Sequence, residues 1–245
     1  MASPSSAADR PPPHGPLAEA MITLAGAPDY SPRVDSLLMT IAGLAAERVA
    51  AASHASVTAL RGKAYTTVAV SEELITEIDQ VQYADNAGPC IEALDLGVPV
   101  AVPNTGATVQ WPGFHQAAPR MGLHASVSVP LYAGRGDAVA ALNLYSHDRA
   151  AMTPLIAGIC TVHDHPDRDP AGDEHLAGLD AGGRELVAGY AEALSIRATV
   201  RLALELIRTD NRCSPDDAYL SLCIRAGEAG TDLAAAAAAL INHNI

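Results

Sequence analysis

Residues 125–145 read ASVSVPLYAGRGDAVAALNLY. Two apolar runs, 125–131 and 138–145, flank Ala133-Gly134-Arg135-Gly136-Asp137, whose paired glycines supply the turn of a β-hairpin. Working outward from it, Ala55–Arg61, Tyr65–Ser71 and Val98–Val102 are short β-branched runs bounded by Gly, Pro or Asn, and they read as further strands. Between the two strand pairs lie Glu72–Gln80, Cys90–Leu96 and Phe114–Met121, whose helical tendency lets them cover one face of a sheet and leave a pocket beneath them. Upstream, Leu37, Leu38, Ile41, Leu44, Ala45 and Val49 recur at helical spacing, so Val34–Ala52 is expected as an amphipathic helix packed on the sheet. The order helix, strand pair, helical insertion, strand pair predicts an α+β domain.

Composition limits how that domain is filled and what it meets. Aromatic residues make up 4% of the chain against 49% for all hydrophobic types, so the core is packed mainly with Ala, Val, Leu and Ile. A formal charge of −13 opposes broad, non-specific affinity for nucleic acid, which arises mostly from phosphate neutralisation. Cys90, Cys160, Cys213 and Cys223 show no C-x-x-C spacing and are expected as free thiols in a reducing compartment. With no long apolar run and no leader-like N-terminus, the expected address is cytoplasmic, with no membrane contact. Residues 1–32 are rich in Pro, Ser and Ala and are expected as a disordered tail.

Past Tyr145 the pattern weakens, and a polar loop is expected over about 155–173, centred on His163-Asp164-His165-Pro166-Asp167. From Leu186 the positions Leu186, Tyr190, Ala193, Val200, Leu204 and Ile207 follow a 4-3 spacing with Arg197 in the seam, which predicts a coiled-coil stalk of about three heptads. Asn211-Arg212 ends this helix, Ser214-Pro215-Asp216-Asp217 opens a second, and Thr231 is expected to cap a third that carries a six-alanine run. The chain thus divides into a tail (1–32), an α+β domain (33–185) and a three-helix unit with its stalk (186–245).

The segment Val81–Leu94 with its Gly88-Pro89-Cys90, followed by Gly97-Val98-Pro99-Val100, Trp111-Pro112, Ser126–Leu131 and Ala141–Tyr145, resembles actinobacterial GAF domains. That resemblance implies a sensor with an antiparallel sheet flanked by helices and an input from a small molecule or a protein. The stretch Ala203–Ile241 resembles the ANTAR domain at Ala203, Cys213–Tyr219, Leu222, Ala226, Leu233 and Ala237. It implies an all-α three-helix bundle that binds tandem RNA hairpins in nascent leaders, prevents termination and works as a homodimer through the stalk. Departures fall at Glu205, Cys223, Gly230 and Asp232, and from Arg197 onward five Arg stand against six Asp and Glu.

The candidate RNA contacts are Arg201, Arg208, Arg212 and Arg225, with Tyr219 as a stacking ring, against the plainer reading of a solvated helix surface with Tyr219 in the bundle core. Cys90 is the candidate in the sensor pocket: its ordinary reading is a buried cysteine packed under the sheet, and the alternative is a thiolate favoured by the dipole of an expected helix start. Cys160, His163, His165, Asp167 and His175 are metal-ligand types at close spacing, but a polar acidic loop has the same composition, and neither a metal nor a cofactor is expected. No P-loop, G-x-S-x-G or H-E-x-x-H occurs, so the expectation is a regulator and not an enzyme. The alternative reading is a dimeric sensor or scaffold whose divergent ANTAR-like unit mediates protein contact without RNA.

Overall fold

The computed structural model describes residues 14–62, 64–166 and 178–244. Five strands, β1 (His54–Arg61), β2 (Ala64–Val70), β3 (Val100–Val102), β4 (Ala125–Ala133) and β5 (Asp137–Ser146), form one sheet in the order β2-β1-β5-β4-β3. All neighbours are antiparallel. The expected hairpin is β4–β5, running from Ala125 opposite Ser146 to Ala133 opposite Asp137, with a bulge between Leu131 and Tyr132.

Because side chains alternate along a strand, the sheet has two chemically different faces. Ala55, Val57, Val127, Val129, Leu142 and Leu144 point to one face, where each fully buried aliphatic side chain contributes roughly 1.5–3 kcal/mol. Four helices cover that face: α1 (Pro16–Ala25), α2 (Arg33–Arg48), α6 (Arg149–Asp164) and the first half of α7 (Ala181–Asn211). The other face carries Ser56, Thr58, Asn143 and Tyr145 and lies under α3 (Ile75–Asp85), α4 (Pro89–Leu96) and α5 (Pro112–Arg120). The second half of α7, with α8 (Pro215–Ala229) and α9 (Leu233–Asn244), forms a three-helix bundle around Val200, Ala203, Ile207, Leu222 and Leu233.

The structure corrects several expectations. Residues 16–25 are not a tail: α1 starts on Pro16 and buries Leu17, Met21 and Leu24 in the core beside α7 and α2. Residues 1–13 lie outside the described residues. The polar loop starts ten residues later than expected, since Asp148 caps α6 by accepting from Ala150 N (2.8 Å) and Ala151 N (3.2 Å), and Leu155, Ile156, Ile159 and Val162 continue its buried stripe. The boundary at 186 cuts through a core, because Leu186, Val187, Tyr190 and Leu194 pack with the sheet. The coiled-coil seam is largely occupied by the chain itself: Leu186, Tyr190, Ala193, Val200 and Ile207 are buried within one protomer, and Leu204 packs half-buried against the bundle core. A 4-3 stripe specifies a buried face without specifying its partner. Asp232, not Thr231, caps α9, accepting from Ala235 N at 2.7 Å.

Candidate functional site

The second face of the sheet holds a buried to half-buried cluster of polar side chains, termed the polar chamber. Strand alternation delivers Ser56 and Thr58 from β1, Thr67 from β2, and Asn143 and Tyr145 from β5. Asp79, Gln82 and Tyr83 come down from α3, and Cys90 from the start of α4. Tyr145 donates its hydroxyl to Asp79 Oδ1 at 2.8 Å, and Thr67 donates to Asp79 Oδ2 at 3.0 Å. Tyr83 Oη lies 2.9 Å from Thr58 Oγ1 and 2.8 Å from Thr67 Oγ1. Asn143 Nδ2 donates to Ser56 Oγ (3.1 Å) and Thr58 Oγ1 (3.0 Å).

Two groups in this network are under electrostatic tension. Asp79 is fully buried, and desolvation pushes its carboxyl up to about 6, with hydrogen bonds from Tyr145, Ser56 and Thr67 acting in the opposite direction. Asn143 Oδ1 is buried without a hydrogen-bond partner, a deficit of roughly 1–3 kcal/mol that a donor can relieve. The chamber therefore offers a carboxyl that takes up a proton near neutral pH and an acceptor with unused capacity.

Cys90 sits in this chamber. Its backbone N–H donates to Gln82 Oε1 at 3.0 Å, and Gly88 makes that reach possible, since a Cβ there would fall 2.3 Å from the same oxygen. Of the two readings of Cys90 the structure has the buried cysteine and not the thiolate: the residue is fully buried, and burial together with the nearby Asp79 pushes its thiol well above the usual range.

The candidate RNA contacts separate into two sets. Tyr219 is 6% exposed, belongs to the bundle core, and donates its hydroxyl to Asp29 Oδ1 at 2.8 Å. Arg201 pairs with Asp137 at 3.1 Å, and Arg208 pairs with Glu205 one turn away at 3.1 Å. Arg212 and Arg225 are exposed and have no ion-pair partner among the described residues. Arg212 ends α7 in the left-handed conformation, φ 49°. Arg225 lines a cleft of about 470 Å³ between α7, α8 and α9, together with Asp210, Ala235 and Ala239.

The departures from the ANTAR pattern have local structural uses. Glu205 pairs with Arg208, Asp232 caps α9, and Gly230 ends α8 at φ 64°. Cys223 packs half-buried against the bundle core. Arg197 is engaged within the chain: its guanidinium stacks 4.4 Å from the Tyr132 ring centroid, and its Nε donates to Gly136 O at 2.9 Å. His163 is committed to the Tyr190 hydroxyl at 2.9 Å, while Asp167 and His175 lie outside the described residues. Sequence reasoning missed Arg135 and Asp29, which grip Tyr219 and its neighbour Asp216. Arg135 was read as turn, and Asp29 fell within the expected tail.

No helix among the described residues is long and apolar enough to cross a membrane. A family model described as GAF domain matches residues 31–156. No curated protein matches the chain. Solved structures that are similar include a type II free methionine-R-sulfoxide reductase from Thermoplasma acidophilum and the nlh2 GAF domain of A. Aeolicus in an inactive state. The first is 13% identical, with TM-score 0.41, over 64% of this chain and 94% of the reductase. The second is 12% identical, with TM-score 0.42, over 64% of this chain and 91% of that domain.

Proposed function

This chain belongs to the GAF domain family and carries a sensor domain over residues 31–156, and from that premise we propose that it is a regulator, not an enzyme, whose helical unit binds RNA hairpins in nascent transcripts under the sensor's control. The input is a small molecule with a hydrogen-bond donor, received in the polar chamber by Asn143 and Asp79. The output is prevention of termination by the ANTAR-like bundle, acting as a homodimer on two hairpins.

One observation carries the output half. The apolar positions through which the C-terminal stretch resembles ANTAR domains, Ala203, Ala218, Leu222, Ala226, Leu233 and Ala237, are all buried in the core of the bundle. The resemblance therefore follows a packing pattern that shapes the whole unit, and α7 joins that unit to the sensor without a break. Arg212 and Arg225 supply its available cations. Fluorescence anisotropy with leader RNAs carrying two tandem hairpins, against loop-scrambled versions, tests the reading. Binding should depend on the loops, and Arg225→Ala should weaken it about tenfold and reduce the salt slope by about 0.7, the share of one single-stranded phosphate contact. Binding that ignores the loops sinks the proposal.

A second reading, protein contact without RNA, is favoured by Leu220 and Ile224. These are 59% and 51% exposed one turn apart on α8. Under that reading Ile224→Ser abolishes self-association in sedimentation experiments, and RNA has no effect on either protein.

A further inference from the structure

Three contacts converge on the first turns of α8. Arg135, at the tip of the β4–β5 turn, donates from Nη1 to Asp216 Oδ1 at 2.6 Å, and its guanidinium lies 4.7 Å from the Tyr219 ring centroid. Asp29 holds the same tyrosine at its hydroxyl, accepting from it at 2.8 Å and donating its own backbone N–H to that oxygen at 3.2 Å. The turn and the 26–29 segment are themselves tied together, Gly134 N donating to Ala27 O at 2.8 Å, and Leu233 N at the head of α9 donating to Gly26 O at 3.0 Å. On α7, Arg201 is held by Asp137 of the same turn.

We infer that the β4–β5 turn and residues 26–29 form a latch that holds the helical unit against the sensor, with Tyr219 and Arg201 withdrawn from any ligand of that unit. The withdrawal matters for RNA only under the function proposed above, on which this part rests. The latch is built to open before the cores do. Its ion pairs are open to solvent, with the side chains of Arg135 and Asp216 34% and 82% exposed and those of Arg201 and Asp137 50% and 68% exposed, and pairs of that kind contribute little individually. The bundle behind it is held by buried apolar residues of α7, α8 and α9. The turn also begins β5, the strand that carries Asn143 and Tyr145 into the polar chamber, so a rearrangement in the chamber reaches the latch along one strand. Opening frees one face of the Tyr219 ring and the Arg201 guanidinium, adding a stacking surface and a cation to the already available Arg225.

The test uses the full chain, Arg135→Asp, Asp216→Arg and the double exchange, followed by amide hydrogen exchange over residues 26–29 and 214–222 and by hairpin-RNA anisotropy. Each single variant should raise exchange in both segments about tenfold and tighten RNA binding about tenfold, and the double exchange should restore both. Unchanged exchange in the single variants overturns the latch. Faster exchange with unaltered binding to loop-dependent RNA overturns its gating role. Faster exchange that the double exchange reverses, with no variant binding RNA, supports the latch and removes the RNA reading alone.

Discussion

Gly182→Ala should lower the unfolding free energy by about 3 kcal/mol in urea denaturation, the upper end of what overpacking costs. The expectation is distinctive because the same substitution inside an unencumbered helix is favourable by roughly 0.5–1 kcal/mol. At Gly182, near the start of α7, an added Cβ would fall 1.8 Å from Arg48 O, 2.3 Å from Arg48 C and 2.8 Å from Val49 N. All three atoms are backbone at the end of α2, so no rotamer change relieves the clash, and α7 must lift off α2. The lift also strains Asp180, which caps α7 through Gly183 N (3.1 Å) and holds Ala50 N at 3.1 Å. A variant as stable as the parent would show that α7 does not seat on α2 in this way.

The second large effect concerns Asp79. Its folded-state value of about 6 lies above the 3.8 of an unperturbed aspartate, so the native state binds more protons than the unfolded chain between those two pH values. Stability from this group is therefore highest below pH 4, falls as pH rises through that interval, and stays reduced above pH 6. The gap corresponds to a cost of ~3 kcal/mol once the carboxyl is ionised. Asp79→Asn removes the titration and can still hydrogen-bond Tyr145 and Thr67, one hydroxyl donating to the amide oxygen and the other turning to accept from Nδ2. Denaturation from pH 4 to 8 should show the variant gaining about 3 kcal/mol relative to the parent across that range. A pH-independent difference would show that Asp79 does not titrate in the folded protein.

The hairpin, the other strands and the three covering helices were legible in the sequence because β-branched runs and turn glycines act locally. So was the cap at Ser214, which accepts from Asp217 N at 3.2 Å. What escaped depends on tertiary contact. Leu17, Met21 and Leu24 are spaced for a helix, yet in a Pro- and Ser-rich stretch they had no visible surface to meet, and only α7 and α2 give them one. Pro154 and Gly158 broke the apparent pattern of α6, although Asp148 caps the helix and Pro154 lies early in it. The chamber was legible as residue types but not as a site. Ser56, Thr58 and Asn143 alternate with apolar neighbours as a solvent-facing strand edge would, and their burial follows from helices that arrive from elsewhere in the chain. The arginines were found as residues, but carboxylate partners from another segment, such as Asp137, determine which of them are engaged.

The long helix α7 gives its first half to the core beneath the sheet and its second half to the bundle, and Ala193 and Leu194 stand at the junction of the two. For dissection and for melting, the consequence is that the chain has no clean seam. A cut ahead of Leu186 would strip the sheet of Leu186, Val187 and Tyr190 and leave those side chains bare at the head of the excised fragment. Sensor and output unit should thus melt as a single cooperative transition in calorimetry, and recombining either with a foreign partner requires the junction to be placed outside residues 181–211.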